Sequence, residues 1–158
     1  MHATSTQQYL DALGARTPAP ASGSGAAVTG AIAAALAELA ARFSDDHETA
    51  ERLVELRGRL LGLADEDAEA YTAFMRTRSE EDRDRTIDVP LAIAETAAEV
   101  AGFASVLVER GNPRVAGDAE AGLELARAVS RVGARLVEIN VGDSADPRID
   151  RARAASVG

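Results

Sequence analysis

Cysteine is absent from the 158-residue chain. That excludes structural disulfides, thiolate nucleophiles and cysteine-ligated zinc. Lysine is absent too, so all 17 basic residues are arginine. Aromatic residues make up only 3%. A core must therefore be assembled from Ala, Leu, Val and Ile. Small side chains let helices approach closely, and alanine is the best helix former, whereas a β-sandwich would draw on more Tyr, Phe, Trp and Thr. Positive charge is the scarcer sign, and the formal net charge is -9. Such a chain repels nucleic-acid phosphates and anionic lipid, so neither is an expected partner, and the charge serves solubility. The two histidines, His2 and His47, are far apart in polar surroundings. They offer no metal-ligand spacing and no Ser-His-Asp triad, so no metal is expected. Long hydrophobic runs are also missing. The weakly polar stretch 26–37 stops at Glu38, short of the about 20 residues a membrane span needs. MHATSTQQYL is not a signal peptide, having no basic region followed by an apolar one. The location expected from these absences is cytoplasmic.

What remains is helical periodicity throughout, with no strand-like alternation. The length suits one domain over residues 1–158. Ser5-Thr6-Gln7-Gln8 has the form of a capping box, and a short helix follows until Gly14. Thr17-Pro18-Ala19-Pro20-Ala21-Ser22-Gly23-Ser24-Gly25 breaks the pattern. A helix apolar on nearly every side then runs over about 26–43 and belongs at the centre, with Gly30 and Ala34 permitting close contact. Ser44-Asp45-Asp46 caps the next helix, about 47–75, in which Leu53, Leu56, Leu60, Leu63, Asp67 and Tyr71 share a stripe. Gly58 and Gly62 suggest a kink or tight crossing there. The charged segment 76–88 reads as a solvated loop or a helix start, with a capping signal at Ser79. Pro90, near the start of the following helix, is tolerable there and awkward deeper in. Gly111-Asn112-Pro113 stops that helix, and Asp118 caps or opens another to about 141. The tail after Gly142 is polar and of uncertain helicity. The expected fold is all-α, an antiparallel bundle of about five helices.

Four segments offer chemistry, each with a plainer alternative. Ser22, Gly23, Ser24 and Gly25 precede a helix, where free N–H groups and the helix dipole attract anions, although from spacing alone a plain linker with an N-cap is the commoner reading. Asp67 and Tyr71 lie one turn apart on the apolar stripe. A carboxylate facing a core needs a function or a partner such as an Arg of another helix. Asn112 and Arg114 flank Pro113 shortly before Asp118, where a turn amide and a helix-capping carboxylate explain the residues as well as a cleft would. Asn140, between two β-branched residues, is a buried hydrogen-bonding amide or a helix C-cap.

In this order the segments resemble the cyclodeaminase/cyclohydrolase family, which includes the C-terminal domain of formiminotransferase-cyclodeaminase and stand-alone methenyltetrahydrofolate cyclohydrolases. The resemblance rests on Tyr9-Leu10-Asp11-Ala12-Leu13, Thr17-Pro18-Ala19-Pro20 with the Gly/Ser turn, and Leu63-Ala64-Asp65-Glu66-Asp67-Ala68-Glu69-Ala70-Tyr71. Val89-Pro90-Leu91, Gly111-Asn112-Pro113 with Asp118, and Ile139-Asn140 complete it. It implies a helical homodimer with a folate site near the Gly/Ser turn and the dimer interface, and no cofactor beyond the folate substrate. The implied chemistry is hydrolysis of 5,10-methenyltetrahydrofolate to 10-formyltetrahydrofolate, or deamination of 5-formiminotetrahydrofolate. Hydrolysis is preferred because no formiminotransferase domain is present. Asp67 and Asp118 become the catalytic candidates. Ser22, Gly23, Ser24, Gly25, Tyr71, Asn112, Arg114 and Asn140 become the substrate-binding ones. Three departures accompany the match. Pro20 is followed by Ala21-Ser22-Gly23 where the family usually has three glycines, the segment between Met75 and Val89 is short and lacks lysine, and the C-terminal region is short. A divergent, non-catalytic helical dimer used for binding or assembly is the alternative.

Overall fold

Ser5 caps the first helix, α1 (Thr6–Leu13), with the reciprocal capping box its sequence predicts, and Gly14 closes it. The protein is described by a computed structural model over residues 5–157; residues 1–4, including His2 and the start of the N-terminal segment, and Gly158 lie outside the described range. After α1 come α2 (Ser22–Phe43), α3 (His47–Thr77), α4 (Glu80–Arg110), a single 3-10 turn (Pro113–Val115), α5 (Ala116–Val141) and α6 (Pro147–Ala155). Among the described residues there is no strand.

Helix α2 is central, packing against α3, α4 and α5. Its buried positions are glycine, serine and alanine alone, so neighbouring backbones can come close. Gly30 sits where an added Cβ would press on Leu60 of α3 and Val129 of α5. The leucine stripe of α3 (Leu53, Leu56, Leu60 and Leu63) is buried, as its spacing predicts. No aromatic side chain is buried among the described residues. By length and composition α2 and α4 could each cross a membrane; here half of each apolar window is buried within the fold.

The structure differs from the sequence reading in four places. Helix α2 begins at Ser22, so the Gly/Ser run forms its first turn instead of a linker. The segment 80–88 is helical, capped by Ser79; charge on a helix face reads locally like a loop. Pro90 therefore lies inside α4. Its ring removes the N–H that would bond the carbonyl four residues back, and Asn140 of α5 supplies the missing donor, its Nδ2 lying 2.6 Å from the Thr86 carbonyl oxygen. Gly133 allows this approach, since a Cβ there would stand 2.9 Å from the Pro90 oxygen and from Ala94. Gly58 and Gly62, by contrast, face open space and serve no tight crossing.

The polar tail forms α6, capped by Asp146 with Pro147 in its first turn. It covers a second, smaller apolar cluster of Ile87, Leu91, Val137, Val141 and Ala152. Arg148 fastens it, reaching Asp146 at 2.6 Å and Asp84 and Asp88 at 2.9 Å. That guanidinium holds the Asp146 carboxyl at about 2.

Candidate functional site

An up-and-down succession of helices sorts their ends. The start of α2, the C-terminal half of α3, the start of α4 and the end of α5 gather at one end of the bundle. The end of α2, the turn before α5 and the start of α5 gather at the other. Asp67, Thr86 and Asn140 thus reach the Gly/Ser turn from three different helices.

Asp67 stands at the centre of this arrangement. Its Oδ2 accepts the Ser24 backbone N–H at 2.9 Å. Ala21, the N-cap residue of α2, has no side-chain acceptor to offer, so Asp67 takes the capping role from another helix. Gly23 makes room for it, because a Cβ at that position would collide with the Asp67 carboxylate. Across the turn, the Tyr9 hydroxyl of α1 lies 3.0 Å from Ser24 Oγ. Asp67 forms no ion pair among the described residues, in contrast to the structural alternative of an arginine partner. Burial pushes its carboxyl above the ordinary aspartate value, while the Ser24 N–H pulls the other way and only partly offsets it. A carboxyl raised in this way, with one oxygen still free of any donor, is equipped to exchange a proton with a bound ligand or water.

A cavity of about 210 Å³ opens beside it. Gly23 and Ser22 come from α2, Tyr71 from α3, Thr86 and Pro90 from α4, and Asn140 from α5. Pro18, Ala21 and Leu136 complete the wall; the Ala19-Pro20 peptide bond in this connecting segment is cis. No basic residue lines the cavity. Ala21 and Ser22, the two turn positions that carry side chains before Gly23, are both exposed. Of the three turn positions, Gly23 alone faces an atom that excludes a side chain. Ser24 is buried under Tyr9, and Gly25 turns toward Leu13 of α1 rather than into the cavity.

A larger groove, about 600 Å³, runs between α3 and α4. Its charges are largely engaged, with Arg52 on Glu55 and Glu99, and Arg59 on the Thr96 hydroxyl.

The other candidates lie about 30 Å away, one length of α2 at 1.5 Å per residue. Asn112 Nδ2 donates to the Phe43 carbonyl at 2.7 Å, its backbone N–H donates to Ser44 Oγ at 2.9 Å, and its Oδ1 accepts the Arg114 N–H at 3.0 Å. It is a fully engaged clasp on the end of α2. Arg114 is exposed in the 3-10 turn, and Asp118 is half-buried in the first turn of α5. Within one chain these three are not brought to Asp67. Sequence reasoning missed Tyr9, Thr86, Pro90 and Leu136. Counting helix ends would have found them, since alternate termini of antiparallel helices share one end.

Three comparisons relate the chain to known proteins. The family model described as formiminotransferase-cyclodeaminase matches residues 5–157. The methenyltetrahydrofolate cyclohydrolase of Methylorubrum extorquens is 30% identical over 161 residues, covering 85% of this chain and 77% of that protein. The crystal structure of formiminotetrahydrofolate cyclodeaminase from Thermotoga maritima superposes with a TM-score of 0.88 at 26% identity, covering 98% of this chain and 90% of the other. In sequence and in shape, over nearly its whole length, the chain belongs to the formiminotransferase-cyclodeaminase family of folate one-carbon proteins.

Proposed function

We propose that the protein hydrolyses 5,10-methenyltetrahydrofolate to 10-formyltetrahydrofolate, with Asp67 as the proton-transferring group. The observation that carries this reading is the carboxylate itself. It is half-buried, one oxygen is held by the Ser24 N–H, and it sits in a cavity without a competing cation. The methenyl substrate carries a positive charge spread over N–C–N, which an unpaired carboxylate stabilises. Water adds to the central carbon while Asp67 accepts its proton. The tetrahedral adduct then breaks one C–N bond, and the proton returns to the departing nitrogen. One water is consumed, one formyl group is formed, and one proton is released in balance with the lost cationic charge. Deamination of 5-formiminotetrahydrofolate, the activity named for the Thermotoga maritima relative, would use the same carboxylate to protonate departing ammonia. The cyclohydrolase is preferred because the 30% identical curated relative carries that name.

The cavity is smaller than the ~300–1,000 Å³ of sites that enclose drug-sized ligands, so it takes a ring and leaves the rest of a folate outside. A neighbouring groove of about 530 Å³ shares the 18–21 segment and α3 as walls, and Arg76 and Arg85 line it. An anionic glutamate tail fits there better than at remote Arg114. A homodimer is proposed with the enzyme. The outward side of α2 carries exposed Ile32 and Leu39 with no charged residue before Glu38. The non-catalytic alternative draws on Ala21 and Ser22 at the cavity mouth, but Gly23 stands where a side chain cannot fit.

The deciding experiment follows the loss of methenyltetrahydrofolate absorbance with and without protein, alongside a thermal-shift titration with the same ligand. Accelerated decay abolished by Asp67→Asn supports the hydrolase. No acceleration and no shift, since any ligand of the native state must raise Tm, would favour the non-catalytic scaffold.

A further inference from the structure

Pro90 and Asn140 do more than line the cavity. An imide nitrogen inside α4 leaves the Thr86 carbonyl without its helical donor, and a buried carbonyl needs one. Asn140 Nδ2 provides it at 2.6 Å. A carbonyl oxygen can only accept, so the amide end against it must be the NH2. That settles which way the Asn140 amide faces, and its Oδ1 is left over. Among the described residues nothing donates to Oδ1, and no side-chain polar atom is both buried and unsatisfied. The oxygen is therefore accessible, on a residue that lines the Asp67 cavity.

We infer that Pro90, acting through the Thr86 carbonyl, is a positioning residue that locks Asn140 as a hydrogen-bond acceptor, so that the cavity selects a ring edge bearing N–H donors. Asn140 Oδ1 then faces the ring in a cavity with no basic residue, while Asp67 Oδ1 is left for the reacting carbon. An amide- or guanidine-like ring edge presents the matching donor, and a ring presenting only acceptors there is rejected because both partners would remain unsatisfied. Gly133 belongs to the same device, since it brings α5 close enough to α4 for the bond to form. This inference rests on the folate reading for the identity of the ring, but the lock itself is a property of the protein without ligand.

The test therefore has two arms. In 15N-labelled protein without ligand, the Asn140 side-chain NH2 should show one proton protected from exchange. Pro90→Ala should abolish that protection, because the backbone N–H restored at position 90 then satisfies the Thr86 carbonyl. Unchanged protection in Pro90→Ala overturns the lock. In the second arm, KM and kcat for methenyltetrahydrofolate are measured for Asn140→Asp, Asn140→Leu, and each combined with Pro90→Ala. Asn140→Asp sets acceptor against acceptor at Thr86 and should raise KM about tenfold, the equivalent of one lost hydrogen bond. Adding Pro90→Ala should restore most of that loss, because the aspartate no longer has to donate. Asn140→Leu has no acceptor to offer and should gain nothing from Pro90→Ala. Equal rescue of both, or of neither, refutes the selection of a donor edge. If the wild type neither turns over nor binds the folate, the folate reading fails, and the exchange arm still decides the lock.

Discussion

The two ends of α2 are built from the same kinds of residue and come to opposite results. At the Phe43 end, Asn112 engages its Nδ2, its Oδ1 and its backbone N–H within the chain. At the Ser22 end, Asn140 engages only its Nδ2 and Asp67 only its Oδ2. One end is closed on itself; the other keeps acceptors turned into a cavity. Residue type does not separate a structural amide from a ligand-facing one. What separates them is how many hydrogen-bonding groups the fold leaves over, because a satisfied group has nothing further to gain from a ligand.

The strongest way to break this comparison is to exchange the carboxylates. Asp67→Asn should lower kcat by at least about 100-fold, the usual contribution of a positioned acid–base group. Asp118→Asn should leave kcat within about twofold, since surface changes away from a site have small effects. A large loss in Asp118→Asn would mean that a second copy of the chain carries its far end to the cavity. Gly23→Ala comes next. Its methyl would run into Asp67 Oδ1, and overpacking of this kind costs about 1–3 kcal/mol. Both Tm and activity should fall together. Asn112→Ala should cost about 0.5–1.5 kcal/mol, since the two side-chain hydrogen bonds it removes have solvent-exposed partners, with kcat unchanged, measured by chemical denaturation and steady-state kinetics.

Smaller effects are expected from pH. The Asp67 carboxyl is raised in the folded protein, mainly by burial. The folded state therefore holds that proton more tightly than the unfolded one. The stability this confers is complete below the ordinary aspartate value and declines as pH rises through the shifted value. Melting curves should show Asp67→Asn matching the wild type in acid and exceeding it once pH has risen past the shifted value. Asp146 runs the other way. Its carboxyl is lowered to about 2 by Arg148, so its contribution is present above about 3.8 and disappears as pH falls toward 2. Protection factors of the α6 amides, which remove the intrinsic pH dependence of exchange, should fall over that acid window and stay flat above it.

Much of the bundle is legible in the sequence because helical spacing and caps are local. Ser5, Asp46 and Ser79 mark helix starts with side chains that bond their own first turns. Legibility stops where the partner is distant. Ser22-Gly23-Ser24-Gly25 reads as a helix breaker until Asp67, 43 residues beyond Ser24, caps it. Pro90 reads as a helix start until Asn140 replaces the donor it lacks. Asp67 stands out, as an acid on an apolar stripe should. Asn112, Arg114 and Asp118 group with it in the sequence, but the order of segments along a chain says nothing about which end of a bundle each occupies.

The chain has no tryptophan and two tyrosines. Tyr9 rests on Ser24, and Tyr71 stands in the cavity wall. Tyrosine emission thus originates at the Asp67 end, while the Asn112 clasp holds only Phe43, which does not absorb at the wavelength that excites tyrosine. An unlabelled sample can report occupancy of the cavity by quenching alone. A melt followed by tyrosine emission will report that end, whatever the rest of the bundle is doing.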